Sequence, residues 1–173
     1  MGVYELSRRR ALGLPCALSP TLSVWKSNAA NIGIYALVLM VIFLVWARAS
    51  LVIFALFYTS EMPTLQGFLE QIVRLENVEF LAVYFAAGLV FATLVFASSV
   101  VSIPLMLDRN QDTVTAVITS FRALGRNFPA MLVWAMLIVL LVGIGFATLY
   151  VGLILAVPLI GHATWHAYRE IVR

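Results

Sequence analysis

A chain of 173 residues that is 63% hydrophobic and 11% charged, with a mean hydropathy of +1.02, lies outside the range of soluble proteins, where roughly a quarter of residues are charged. No soluble core of this length could hide so much apolar side chain, so lipid is part of the solvent. The net charge of +3 tells less than its placement. All basic residues except Arg48 and Arg74 gather in three places: Arg8, Arg9 and Arg10 with Lys26; Arg109 with Arg122 and Arg126; Arg169 with Arg173. Between them, residues 59–80 carry Glu61, Glu70, Glu76 and Glu79 against the single Arg74. The positive-inside bias assigns the basic segments and both termini to the cytoplasm and the acidic segment to the outside. These basic residues orient helices and touch anionic lipid; they are not a nucleic-acid footprint. Cys16 is the sole cysteine, which excludes an intramolecular disulfide and a thiolate cluster.

The N-terminus imitates processing signals without completing one. Pro15 interrupts the apolar run after Ser7-Arg8-Arg9-Arg10, Pro15 also stands directly before Cys16, and Leu6 occupies the position where myristoylation wants Ser or Thr. Residues 1–13 read as the last turns of a helix leaving the membrane. Because nothing apolar precedes them, a further N-terminal helical pair is expected upstream of Met1. Ser19 and Pro20 then restart a helix as N-cap and first-turn proline. Leu18, Leu22, Trp25 and Ala29 share one face of it, and the segment reads as an interfacial helix.

From residue 30 to 58 the chain is apolar except for Asn31, Arg48 and Ser50. About 20 residues span a bilayer, so Arg48 falls near the far side, snorkelling to the headgroups or facing a polar path between helices. Leu51 to Tyr58 either prolong a tilted helix or lie at the outer surface. In the external loop, Leu65, Phe68, Leu69, Ile72 and Leu75 repeat at helical spacing and predict a short amphipathic helix. A second span is expected over residues 78–107, with Gly88, Ala92, Ser99 and Ser102 forming a small-residue stripe suited to helix packing and Pro104 kinking or ending it. Residues 112–125 follow as an amphipathic helix with Val114, Val117, Ile118, Phe121 and Leu124 on its apolar face. A third span runs over 129–147, an outer turn over 148–151, and a fourth span over 152–168 ends in Trp165, His166, Tyr168 and Arg169, residues suited to an inner interface.

The plan recurs. Leu18, Leu22, Trp25, Lys26 and Asn31 pair at constant offset with Val114, Ile118, Phe121, Arg122 and Asn127. Ile103-Pro104-Leu105 echoes Val157-Pro158-Leu159, and Tyr4 and Arg8 echo Trp165 and Arg169. The reading is an all-α, polytopic transmembrane helical bundle with about four spans, short interfacial amphipathic helices and parallel helical-hairpin repeats. It forms a single membrane domain over 1–173: the end of a truncated helix (1–13), a unit with a longer external loop (14–111) and a second unit (112–173). GVYELSRRR, SSVVSIPLMLDRN and PLIGHATWHAYREIV resemble the bacterial integral-membrane family catalogued as domain of unknown function 2189. The resemblance extends over nearly the whole chain and is densest from Phe96 onward. It implies an inner-membrane location and a first pair of spans absent here, and it carries no functional residue over.

Chemistry is sparse. His162 and His166, at i and i+4 on the closing helix, share a face as metal or haem ligands would, but only Asp108 and Glu170 offer themselves as a third ligand in that membrane half. Two histidines cannot serve a haem–copper catalytic subunit. No catalytic Ser-His-Asp or Cys-His set and no phosphate-cradling glycine loop is legible, and Gly143 and Gly145 sit within an apolar span. The expectation is a non-enzymatic inner-membrane protein without cofactor or metal, acting by helix packing in the bilayer with other membrane proteins or itself. The alternatives are a small-molecule or ion permease working as an oligomer, with Arg48 in its path, and an accessory subunit of a respiratory or photosynthetic complex.

Overall fold

The structure is a computed structural model that describes residues 2–15, 21, 23–58 and 64–172. Cys16, Leu18, Ser19, Pro20, Leu22 and Glu61 lie outside the described residues. Those described form an all-α chain: α1 (Gly2–Ala11), a 3-10 turn (Val24–Asn28), α2 (Ala29–Phe57), α3 (Leu65–Val73), α4 (Val78–Ser99), α5 (Ser102–Arg109), α6 (Thr113–Arg126), α7 (Phe128–Ala147) and α8 (Leu153–Ile171). Arg8, Arg9 and Arg10 occupy the last turn of α1, where cations favour the negative end of the helix dipole. Leu51 to Phe57 prolong α2 as one helix.

Three described stretches are long and apolar enough to cross a membrane: Val24–Phe57, Val78–Arg109 and Phe128–Ala147. The expected fourth, α8, has 19 residues and reaches about 28 Å at roughly 1.5 Å per residue. Composition sets it apart from these three, since its apolar half ends at Ile160 and its second half carries His162, His166, Arg169 and Glu170. Three stretches are thus chiefly apolar along their length, and α8 is a helix of mixed character, apolar in its first half and polar in its second.

The second span is also broken where one helix over 78–107 is expected. α4 ends at Ser99, and α5 begins at Ser102 with Pro104 in its first turn. Proline has no N–H and its ring displaces the carbonyl four residues back, here Val100, so an unbroken helix would lose that bond; a first turn tolerates it. The small-residue stripe is divided accordingly. Ala92 is exposed, Ser102 belongs to the next helix and is fully buried, and a methyl group on Gly88 would come 4.0 Å from the Trp46 indole nitrogen.

The chain divides into two units, Met1–Tyr35 with Phe96–Arg173, and Ala36–Val95. In the first, α5 is the hub: Ser102, Pro104, Leu105, Met106 and Leu107 are all buried. Ser120 of α6 accepts the Val101 N–H (3.2 Å), and the Ser102 hydroxyl meets the carbonyls of Ala116 (3.1 Å) and Ser98. The Asn28 amide donates to the carbonyls of Met106 (3.1 Å) and Gln111 (2.9 Å), covering one of the open acceptors at the end of α5. Asn110 then ends the helix in the left-handed region at φ 49. Asp112 caps α6 by accepting the Thr115 N–H at 3.0 Å.

α6 turns the opposite way from a soluble amphipathic helix. Val114, Ile118 and Phe121, from its predicted apolar face, are exposed, whereas Thr113, Ala116, Ser120 and Ala123 are buried. Small residues let α6 lie close on α5, and the bulky face is left for lipid. α7 and α8 form a tight hairpin. A methyl group on Gly152 would stand 2.5 Å from the Thr148 hydroxyl and 3.1 Å from the Gly145 Cα, so the hairpin closes through these two glycines.

The second unit centres on Phe80, 3% exposed. It meets the rings of Phe54, Phe57, Tyr58, Phe68 and Tyr84 at 5.3–6.2 Å. Thr64 caps α3 by accepting the Gly67 N–H. Leu75 departs from the predicted face of that helix: it follows the helix end, has φ 55 and is exposed.

Candidate functional site

The junction of α1, α5 and α8 collects most of the polar chemistry. Glu5 of α1 is 3% exposed and accepts hydrogen bonds from Arg8 (2.7 and 3.0 Å) and Arg9 (2.8 Å). Burial favours the protonated carboxyl, but these hydrogen bonds and charges outweigh it and hold Glu5 below the ordinary carboxylate range. α1 docks on α8 through Val3 against Gly161 and through Tyr4, whose ring lies 6.5 Å from that of Trp165. Tyr4 and Trp165 are the two positions that the expected internal repeat would pair.

His162 and His166 have different surroundings. Ser7 uses its one hydroxyl proton toward the Val3 carbonyl (3.1 Å). Its oxygen also lies within hydrogen-bond distance of His162 Nδ1. His166 instead lines a polar cleft of about 500 Å³. α5 supplies Asp108 and Arg109 to this cleft, α1 supplies Ala11, and the end of α8 supplies Tyr168, Arg169 and Glu170, with Trp165 in the wall. The two acidic side chains read as candidate third ligands, Asp108 and Glu170, thus line the cleft with His166. Among the described residues, no three His, Cys, Asp or Glu side chains are arranged to hold a metal ion.

The cleft's groups are committed unequally. Tyr168 donates its hydroxyl to Asp108 Oδ2 at 3.0 Å, and Arg109 donates to the Val172 carbonyl at 3.0 Å. Arg169 makes no hydrogen bond or ion pair among the described residues. Trp165 is 1% exposed, and its indole N–H is buried without a partner among them. Buried donors are paired in the great majority of proteins, so this one marks the cleft wall as unusual. The Ser7–His162 pair, 155 residues apart, left no local signal in the sequence. The acid–base dipeptides that close α5 and α8, Asp108-Arg109 and Arg169-Glu170, are the signal that points to the cleft.

Arg48 stands elsewhere. It is exposed on α2, about 28 Å along the helix from Ala29 at roughly 1.5 Å per residue. A shallow, chiefly apolar groove surrounds it, lined by Val41, Leu44, Val45, Val52 and Ile53. An Arg at that depth can extend its guanidinium toward headgroups while its stem covers apolar surface.

The model of a family described as predicted integral membrane protein, domain of unknown function 2189, matches residues 1–108. The match takes in the N-terminal stretch and the middle stretch up to Asp108, while the C-terminal stretch of the resemblance lies beyond it. No curated protein and no solved structure matches the chain.

Proposed function

Because the chain belongs to this predicted integral membrane family, we propose that it is a non-enzymatic structural or assembly component of the bacterial inner membrane, acting through helix packing with other membrane proteins or with itself. Both termini are assigned to the cytoplasm. The observation that carries the reading is a pair of uncovered glycines. A methyl group on Gly33 of α2 or Gly143 of α7 would meet nothing within 4 Å among the described residues. Glycine costs about 1 kcal/mol relative to alanine within a helix. In lipid that cost is offset where a second helix approaches the bare backbone, and a partner helix would supply that contact.

The test is extraction in mild detergent, cross-linking and mass spectrometry of what is recovered, with wild type beside Gly143→Leu. The expected result is a recovered partner, or a second copy, that falls at least tenfold in the variant at unchanged protein level. A wild-type protein that stays monomeric and uncross-linked overturns the proposal. A clean homo-oligomer would direct attention to the permease alternative, and a stoichiometric redox partner to the accessory-subunit alternative.

A further inference from the structure

Charged side chains within a span are rare, and almost all face a bundle interior or a polar cavity, where they pair with another group. Arg48 of α2 is exposed and makes no hydrogen bond or ion pair among the described residues. Its direction explains why. α2 packs on α4 through Phe54 and Phe57, whose rings meet that of Phe80, and through Trp46, whose indole nitrogen lies beside Gly88. At 3.6 residues per turn, Arg48 stands about 120–180° round the helix from each of these three. It points away from the helix that α2 packs on. Depth also sets it apart from an interfacial arginine. Phe54 and Tyr58 stack with Phe68 of α3, and the Tyr58 hydroxyl lies 3.2 Å from Gln71 Oε1, the aromatic and polar belt expected at a membrane surface. Arg48 precedes Phe54 and Tyr58 by six and ten residues, about 9–15 Å along the helix. Val52 and Ile53 stand between, and with Val41, Leu44 and Val45 on the other side they line an apolar groove of about 580 Å³ around Arg48.

A guanidinium in such a groove calls for an anion at its own depth. No Asp or Glu occurs at residues 6–60, 80–107 or 113–169, which take in the apolar interior of every span. Glu79, in the first turn of α4, adjoins Phe80 and so stands level with the aromatic belt rather than with Arg48. A second copy of the chain brings the same lack. We propose that Arg48 and its groove dock a transmembrane helix of a different membrane protein, one that carries an Asp or Glu carboxylate within its span. The proposal rests on the reading of the chain as a helix-packing component and names the chemistry of its partner. The guanidinium fork pairs with a carboxylate through two parallel hydrogen bonds, which would fix the rotation of the incoming helix. Either charge left alone in hydrocarbon is costly, so each helix gains by meeting the other, and Val41, Leu44 and Val52 supply apolar contact on both sides of the pair.

The experiment is photo-crosslinking of the full chain in cell membranes, with benzoylphenylalanine placed at Leu44 or at Val52, exposed positions one turn to either side of Arg48, followed by mass spectrometry of the adducts. The expected adduct is a membrane-spanning peptide of another protein with an Asp or Glu within two turns of the attachment point. It should fall at least tenfold with Arg48→Leu and persist with Arg48→Lys. Arg48→Glu should abolish it, and changing the partner's carboxylate to Arg in that background should restore it. Adducts to phospholipid alone, to a second copy, or to a span without a carboxylate overturn the proposal, as does a protein adduct that survives Arg48→Leu. Gly143→Leu separates the two readings. A partner lost in Gly143→Leu but indifferent to Arg48 leaves the helix-packing function standing and removes this assignment, whereas a chain that is monomeric and gives no protein adduct removes both.

Discussion

Glu5 and Asn28 show how much of the first unit rests on single polar side chains. Glu5 is a buried carboxylate between two arginines, with Arg8 30% and Arg9 19% exposed at the side chain. Removing one partner of a buried ion pair costs about 3–5 kcal/mol, and the partial exposure of the arginines reduces this to about 2 kcal/mol. Glu5→Gln is therefore expected to loosen α1. Because the folded carboxyl lies below its ordinary value, its contribution is complete above the unfolded value near about 4.3 and is lost as pH falls through the lower folded value. The protection factors of residues 2–11, exchange rates divided into their intrinsic pH-dependent values, should fall on acidification below about pH 4 in wild type and be low but flat with pH in Glu5→Gln. A wild-type exchange profile that matches the variant would refute this account. Neither side chain betrayed its role in the sequence. Glu5 stands in the run GVYELSRRR with no local sign of burial, and Asn28 bonds to carbonyls 78 and 83 residues away, a separation that no local pattern encodes.

At the scale of the element, α6 explains why a correct periodicity led to only half of the packing. Residues 114, 117, 118, 121 and 124 do form one apolar face, as helical spacing predicts. In water that face would be buried. Beside a bilayer it is left outward, and the residues that bury are the small ones, Ala116 and Ser120 at 0% exposure. The pattern marks the faces but not which solvent each meets. Ala116→Leu, which forces three more carbons into the contact with α5, is expected to cost about 1–3 kcal/mol as overpacking. Ile118→Leu, on the exposed face, should be within about 0.5 kcal/mol of wild type. Thermal unfolding of both variants in detergent checks this, and the reverse order of stabilities would mean that α6 packs by its bulky face. The break between α4 and α5 was half legible for a similar reason. Pro104 announced a disruption near the inner end, but the site of the break depends on Ser120 receiving the Val101 N–H, a contact made by the following helix.

For the whole molecule the informative fact is where the ends of the first unit meet. α1 packs along the polar half of α8, and Arg109 at the end of α5 bonds to Val172 just past α8. α8 thus brings the chain back beside α1 and the end of α5. This return explains how a helix that fails as a span by composition can still close the hairpin begun by α7. Its outer half, with Ile154, Leu155, Val157 and Leu159 exposed, has the composition for acyl chains, and the polar half beyond it buries Thr164, Trp165 and Tyr168. Ser7 of α1, itself buried, meets His162 there, so a hydroxyl that would be costly in hydrocarbon has a protein partner. The same side carries Arg8, Arg9, Arg10, Arg109 and Arg169, the composition expected of a cytoplasmic face. α2 has 29 residues, more than the roughly 20 that a bilayer crossing needs before the acidic loop begins. Reporter fusions after Arg173 and after Gln66 are therefore expected to report opposite compartments, with Arg173 in the cytoplasm and on the same side as a fusion before Gly2. Arg173 and Gln66 in one compartment would overturn this topology.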